Sequence, residues 1–393
     1  MKKRVFMVSY GGGHANIIRN IYLELSKDSN IEIIYLALTT APNQLKGRSV
    51  KYITVRDAAK LLSDREDVKK LGILYGEPFH NSQIGVSLED TIYYYGIGMH
   101  DLIQEYGKYI AEEKLERYGR KIFLPVDSMK EIVKSINPDV CVITASPRME
   151  MATGIAADGL GIPVVRINDL PICEKLSHNC ILCVMNEWAK AYAIEKAGVL
   201  EENIRVTGQP VFDEDEVEPE WLAEFNKEAA KYKRTVVFFT ENGKNQKKEL
   251  DSLYEIAEEL KDVLFIVKIH PNQEVESFCD SPQKNVWIKK GLAKNYLHVA
   301  DVVITTFSTT GMEAAMRKIP LIEIRFDEET YALDYAEMGI AQLARNKVEL
   351  FNEIKALLDT SSKEYKSLMK RYKLFKKIPN ASRNICAVIK EQL

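Results

Sequence analysis

The chain has 393 residues, 46% of them apolar, with 54 basic and 57 acidic side chains and a formal charge of −3. That length predicts two or three domains, each with enough apolar residues for a core. The slight acidic balance excludes a bulk nucleic-acid binder, which carries surplus positive charge.

In chain order, the apolar run in MKKRVFMVSY is too short for a signal peptide. No stretch approaches the ~18 apolar residues of a membrane span, so a cytosolic protein is expected. Arg4–Ser9, Ile31–Leu38 and Lys51–Val55 read as strands, followed by Val140–Thr144, Val164–Ile167 and Ile181–Met185. Helical patterns cover Ala15–Ser26, Ser128–Ser135, Arg148–Leu160 and Glu187–Ala197, and Ile17, Ile18, Ile21 and Leu25 share one helix face. Between about Asp57 and Leu124 the periodicity blurs. FHNSQIGVSLEDTIYYYGIGMH (79–100) reads there as an irregular insertion beside a ligand cleft.

The acidic, proline-bearing stretch VTGQPVFDEDEVEPEWLAEF (206–225) reads as a domain boundary. It sets a first domain over 1–212 and a second over 213–379, with a final helix in 380–393 that packs back on the first. Strands Thr235–Thr240, Leu264–Ile269, Val302–Thr306 and Leu321–Ile324 alternate with helices near 247–260, 310–317 and 348–359. Short apolar strands alternating with helices predict an α/β protein of two Rossmann-like domains, each a parallel sheet covered on both faces. Such sheets bind ligands beyond the carboxyl ends of their strands, so the strand-to-helix turns are where chemistry is expected.

The first such turn is Gly11-Gly12-Gly13-His14. Glycines let a ligand approach the backbone, and a neutral histidine at a helix start can take a proton from an attacking hydroxyl. A tight turn with a capping histidine is the plainer reading. In VITTFSTTGMEAAMRKIPLIEI (303–324), Ser308, Thr309, Thr310 and Gly311 open a helix whose N–H groups and hydroxyls suit a phosphate, and Glu313 can accept both hydroxyls of a ribose. An ordinary capped helix start is the alternative. Lys268 and His270 end another strand of the same domain, and Lys244 lies in the loop after the domain's first strand, where it can reach a diphosphate or form part of a solvated loop. Gly208 and Gln209 close the first domain, and Asp169 follows a first-domain strand, where it can orient a histidine, meet an acceptor hydroxyl or serve as an ordinary turn residue.

Three other features carry plainer readings. Cys180 and Cys183 beside His178 have zinc-like spacing, but residues three apart on a strand point to opposite faces, so they read as buried thiols. Asp213-Glu214-Asp215 reads as a solvated charge run. Tyr365–Lys377 is basic and amphipathic, and reads as a surface helix packed on its own domain, with a membrane-surface helix as the alternative.

Together these turns resemble the GT-B glycosyltransferase superfamily. GGGHANIIRNIYLEL is similar to the glycine-rich loop of the enzyme that adds N-acetylglucosamine to the peptidoglycan lipid precursor, and to the Gly-His start of the small-molecule UDP-glycosyltransferases. VTGQPVFD resembles the Val-Thr-Gly-Asn-Pro segment of that enzyme and of the non-hydrolysing UDP-N-acetylglucosamine 2-epimerases. ADVVITTFSTTGMEAAMRKIPLI resembles the donor site of the same groups. His-Pro followed by a Ser/Thr-rich turn is similar to bacterial sialyltransferases and to the glycerophosphotransferases of teichoic acid synthesis, which use cytidine nucleotides.

The resemblance implies two parallel sheets facing across a cleft and an inverting, metal-independent, cofactor-free transferase. Its expected donor is a nucleotide sugar, UDP-linked first, and its product a bacterial surface polysaccharide or glycolipid. His14 falls at the base position, with Asp169 as its orienting partner. Ser308 to Gly311, His270 and Lys244 fall at the donor phosphates, Glu313 at the ribose, and Gly208 and Gln209 at the interdomain loop. A carbohydrate or lipid-linked acceptor is expected near Gly11, Gly12, Gly13 and Tyr94, with peripheral contact at the inner membrane face and no nucleic-acid partner. Gln209 stands where the family has asparagine. The loop holding Lys244 is not rich in glycine and serine, and the epimerases' opening motif is absent. The alternatives are a 2-epimerase of the same fold, a CMP- or CDP-dependent sialyl- or glycerophosphotransferase, and a non-catalytic nucleotide-sugar-binding subunit.

Overall fold

The computed structural model describes residues 2–213, 217–241, 246–270, 273–278, 283–326 and 333–393. The chain divides into two compact units, Met1–Asp213 with Ile378–Leu393, and Glu214–Lys377.

Among the described residues the first unit holds one six-stranded sheet. Its strands are β1 (Lys3–Ser9), β2 (Ile31–Ala37), β3 (Val140–Thr144), β4 (Val164–Ile167), β5 (Ile181–Val184) and β6 (Ile204–Val206). They run in the order β2-β1-β3-β4-β5-β6, every pair parallel, with Val8 opposite Ile143 and Thr144 opposite Ile167. β3 and β4 are buried along their whole length, as strands covered on both faces must be. Phe6, Val8, Cys141 and Ile143 point into one core layer, and Val5, Met7, Val140 and Val142 into the other. Ile17, Ile18, Ile21 and Leu25 of the first helix, Gly13–Leu25, are all buried in the second layer, as their spacing predicts. Ile385, Val388 and Ile389 of the last helix, Ala381–Glu391, join them there.

The second unit repeats the plan with β7 (Arg234–Phe239), β8 (Val263–Lys268), β9 (Val286–Lys289), β10 (Val302–Thr305), β11 (Leu321–Ile324) and β12 (Gln342–Ala344). Its order is β12-β11-β10-β7-β8-β9, again all parallel. In each sheet the first strand has neighbours reached by connections that leave in opposite directions. The crevice at that reversal is where open α/β sheets take ligands. It lies between β1 and β3 in the first unit and between β7 and β10 in the second.

Two expected elements differ. Lys51–Val55 forms no strand: Ile53 makes a single bridge to Leu36, and Thr54 then opens the short helix Val55–Ala58, with Asp57 accepting from the Thr54 N–H at 3.3 Å. The stretch 79–100 is not an irregular insertion. Ser87 caps a 19-residue helix, Leu88–Tyr106, accepting from the Asp90 N–H at 3.0 Å. Every residue from Ile92 to Met99 is buried, so the middle of the helix has no polar face to mark its period. It packs on helix Arg65–Tyr75 through glycine: a Cβ on Gly96 would stand 2.1 Å from the Val68 carbonyl oxygen, and one on Gly72 2.0 Å from that of Ile92.

Candidate active site

The turn after β1 needs two of its glycines for backbone reasons. Gly11 sits against Thr40, whose Oγ1 would lie 2.0 Å from an added Cβ, and Gly12 has φ 72°. The Gly12 N–H donates to Gln44 Oε1 at 3.1 Å. Gly13 has open space around it and starts the first helix, placing His14 in the first turn at the carboxyl edge of the sheet.

His14 stands between a carboxylate and a hydroxyl from the ends of two different strands. Its Nε2 lies 3.9 Å from Asp169 Oδ2, beyond β4. Its Nδ1 lies 2.8 Å from Thr144 Oγ1, at the end of β3. Behind Thr144 is Glu150, fully buried in the first turn of helix Met149–Asp158. Glu150 accepts the Thr144 hydroxyl at 2.5 Å and the Thr144 N–H at 2.9 Å on Oε2, and the Tyr10 N–H at 2.6 Å on Oε1. Burial pushes its carboxyl upward; the charge of His14, the Thr144 hydroxyl and the two N–H donors oppose that shift. Thr144 and Glu150 were not singled out in the sequence. The signal was there: an acid in the first turn of the mostly apolar helix MEMATGIAAD.

The neighbouring groups brace this cluster. Tyr94 is in the core, 4% exposed, with its hydroxyl 3.0 Å from that of Tyr10. Tyr93 and Tyr95 are buried as well. The expectation of an acceptor-side Tyr94 is therefore corrected: packing against Tyr10, Tyr95 and Phe123 takes its ring out of reach of a ligand. Tyr10 carries the Arg148 guanidinium over its face at 4.7 Å, and Arg148 itself holds the unusual φ of 66°. Gln209 is buried, and its amide nitrogen donates to the carbonyls of Asn168 and Asp169 at 3.3 and 3.1 Å, fixing the turn that carries Asp169. Gly208, at φ 91°, lies against Ile378 and Ala381.

In the second unit Ser308–Gly311 follow the end of β10 and His270 follows the end of β8, with β7 between these strands. Ser308 caps helix Thr309–Met316, and its Oγ accepts from the Thr310 hydroxyl at 3.0 Å. Ser308, Thr309 and Thr310 are at least partly exposed. Gly311 faces inward instead: an added Cβ would meet the Tyr335 ring at 2.7 Å, so this glycine lets the helix seat on Tyr335, whose hydroxyl donates to the Ser308 carbonyl at 2.7 Å. Glu313 is in an ion pair with Arg317, at 2.6 Å. The His270 N–H donates to Gln273 Oε1 at 2.9 Å and to Thr240 Oγ1 at 3.2 Å, tying the ends of β7 and β8 together. Lys268 is buried beside it, its Nζ donating to the Ile269 carbonyl at 2.6 Å; burial, then Lys290, holds its pKa down. Lys244 lies outside the described residues.

The plainer motifs resolve as follows. Cys180 belongs to one core layer and Cys183 to the other, so the sheet separates the two thiols. Asp213 is not merely solvated: it accepts from the Ala381 N–H, the Ser382 N–H and the Ser382 hydroxyl, each at 2.8 Å. Glu214 and Asp215 lie outside the described residues. Leu368, Tyr372 and Phe375 are fully buried, so the basic helix Lys363–Arg371 and the turn after it are anchored on their own unit. Among the described residues no helix is long and apolar enough to cross a membrane.

Residues 222–391 match the family model of CDP-glycerol:poly(glycerophosphate) glycerophosphotransferases. No curated protein matches the chain. Among solved structures, a UDP-GlcNAc 2-epimerase from Neisseria meningitidis bound to UDP-GlcNAc superposes with a TM-score of 0.60 at 14% identity, over 99% of this chain and 100% of that one. The UDP-GlcNAc 2-epimerase of Methanocaldococcus jannaschii gives 0.58 at 16%, over 99% of each chain. MurG of Acinetobacter baumannii gives 0.57 at 14%, over the whole of both. Identities this low speak for the fold alone. With a parallel six-stranded sheet in each unit and these neighbours, the chain has the GT-B fold.

Proposed function

We propose that the chain is a transferase that moves a group from a nucleotide-diphosphate donor to an acceptor hydroxyl, with His14 as the base. The observation that carries this reading is a histidine held at the reversal point of a parallel sheet, one ring nitrogen bonded to a hydroxyl and the other beside the Asp169 carboxylate. The family match over 222–391 favours a CDP-activated glycerophosphate as the group transferred, ahead of the UDP-sugar that the motifs led us to expect. The donor nucleotide belongs to the second unit. Its phosphates are taken by the N–H and hydroxyl groups at Ser308–Thr310 and by the turn of His270, and its ribose by Glu313, once Glu313 exchanges Arg317 for ribose hydroxyls. Positive helix-end charge and hydroxyl donors offset the charge building on the leaving phosphate, a contribution of several kcal/mol in sites of this type, on the order of 3 per donor.

The acceptor hydroxyl gives its proton to His14 Nε2, with Asp169 beside it. In glycerophosphoryl transfer its oxygen bonds to the β-phosphorus, the bond from that phosphorus to the bridging oxygen breaks, and CMP leaves. In glycosyl transfer, the second reading, favoured by the glycine-rich Gly11–His14 motif, the oxygen bonds to the anomeric carbon from the far face and the nucleoside diphosphate leaves. A surface polymer or glycolipid is the acceptor class in both readings.

The leaving nucleotide distinguishes the two. Thermal-shift screening against CMP, CDP, UDP, GDP and dTDP identifies the base, and incubation with CDP-glycerol or UDP-N-acetylglucosamine plus membrane extract then shows whether CMP or UDP is released. His14→Ala should lower turnover at least about a hundredfold while changing donor affinity less than about threefold. Undiminished turnover in that variant rejects His14 as the base.

A further inference from the structure

The reading above needs His14 to present a lone pair on one nitrogen and keep it there. The groups around the ring do this through the nitrogen far from Asp169. The two backbone donors to Glu150, the N–H of Tyr10 and that of Thr144, engage one carboxylate oxygen each. A backbone N–H can only donate, so both oxygens act as acceptors. Glu150 also lies in the first turn of its helix, where the backbone favours negative charge. The Thr144 hydroxyl has a single hydrogen, and the carboxylate 2.5 Å away takes it. Toward His14, at 2.8 Å, that same oxygen can therefore only accept.

From this chain of donors and acceptors we infer that Glu150, acting through Thr144, is the positioning group for His14. The relay holds the ring proton on Nδ1 and leaves Nε2 as the proton acceptor. Asp169, which the sequence led us to assign as the orienting carboxylate, faces the other nitrogen, where the substrate proton arrives. The division of labour follows from burial. Glu150 has no exposed surface, so it keeps its partners throughout, whereas the Asp169 side chain is 26% exposed and open to a ligand. When Nε2 takes up the acceptor's proton, the imidazolium charge forms one hydroxyl away from the buried Glu150 carboxyl group. The groups facing the ring are thus Glu150 through Thr144 on one side and Asp169 on the other. Arg148 is held over the Tyr10 ring at 4.7 Å.

The inference rests on His14 being the base, but its test does not depend on turnover. Nitrogen-15 spectra of the full-length protein, with the His14 signals assigned by their loss in His14→Ala, report which ring nitrogen carries the proton. The wild type should show Nδ1–H with an unprotonated Nε2. Thr144→Val, which keeps the shape and removes the hydroxyl, should shift the ring toward the other tautomer, and Thr144→Ser should restore it. With CDP-glycerol or UDP-N-acetylglucosamine, whichever the wild type cleaves, Thr144→Val and Glu150→Gln should lose about a hundredfold or more in kcat. KM for the donor should stay within about threefold, and the serine variant should recover most of the rate. A wild-type ring protonated on Nε2, or a Thr144→Val spectrum identical to the wild type, overturns the relay. A His14→Ala enzyme with full turnover rejects the base assignment alone, and the spectra still decide whether Glu150 and Thr144 set the tautomer.

Discussion

His178 shows what one buried ring does to the energetics of the first unit. Its side chain packs on Gly154, where an added Cβ would lie 2.4 Å from Nε2, and Nδ1 is 3.1 Å from the Ser177 hydroxyl. Burial, helped by Arg166 and opposed by Asp158, pushes its pKa down to about 4. In the unfolded chain the same ring titrates near 6.5. Below that pH the unfolded state binds a proton that the folded state refuses, so stability falls as pH drops from about 6.5 and levels off near 4. The loss is roughly 3 kcal/mol. Urea denaturation at a series of pH values should show this slope, and His178→Gln should flatten it. The same residue scale shows what was legible at the site. His14 and Asp169 stood out because they are ionisable residues in turns. Thr144 and Glu150 did not, because their importance comes from meeting His14 across two strands, and nothing in local spacing records that meeting. Tyr94 was misplaced for the converse reason: a tyrosine-rich run reads as a ligand surface until its rings are seen packed on one another.

At the scale of elements, the helix Leu88–Tyr106 was hidden by its own burial. Amphipathic period is the main sign of a helix, and a helix covered on most sides loses it. Its glycines added to the impression of a loop, since Gly is a poor helix former. Gly96, with Gly72 of the facing helix, instead allows close backbone approach between the two helices. Gly96→Ala should cost roughly 1–3 kcal/mol or more, because the neighbouring Val68 carbonyl cannot yield without moving a helix turn. Chemical denaturation checks this, with Gly13→Ala, whose Cβ would meet open space, expected to lose far less. The first helix was legible for the opposite reason: Ile17, Ile18, Ile21 and Leu25 leave a polar face that marks the period.

At the scale of the whole chain, the first unit is closed by residues from both ends of the sequence. Asp213 caps the last helix with three hydrogen bonds, Lys390 pairs with Asp28 at 2.7 Å, and the Cys386 thiol donates to the Ile21 carbonyl at 3.6 Å. Asp213→Ala should therefore lower stability by about 1–2 kcal/mol, the range for loss of a helix cap, and Asp213→Asn by less. Melting curves of the variants measure it, and equal melting temperatures for all three proteins would count against the cap.

The sequence by itself determined the architecture. Alternation of short apolar strands with helices is a local pattern, and a parallel sheet covered on both faces is the arrangement that buries it. It also determined which turns hold ionisable or hydroxyl-bearing residues, because those turns interrupt the apolar pattern. Only the tertiary structure decided which of these residues meet. Strand order sets that, and order β2-β1-β3-β4 brings the ends of three strands, 130 residues apart at His14 and Thr144, around one imidazole. Hydrogen bonds reach about 3 Å, and periodicity in a sequence carries no distance between segments that far separated along the chain.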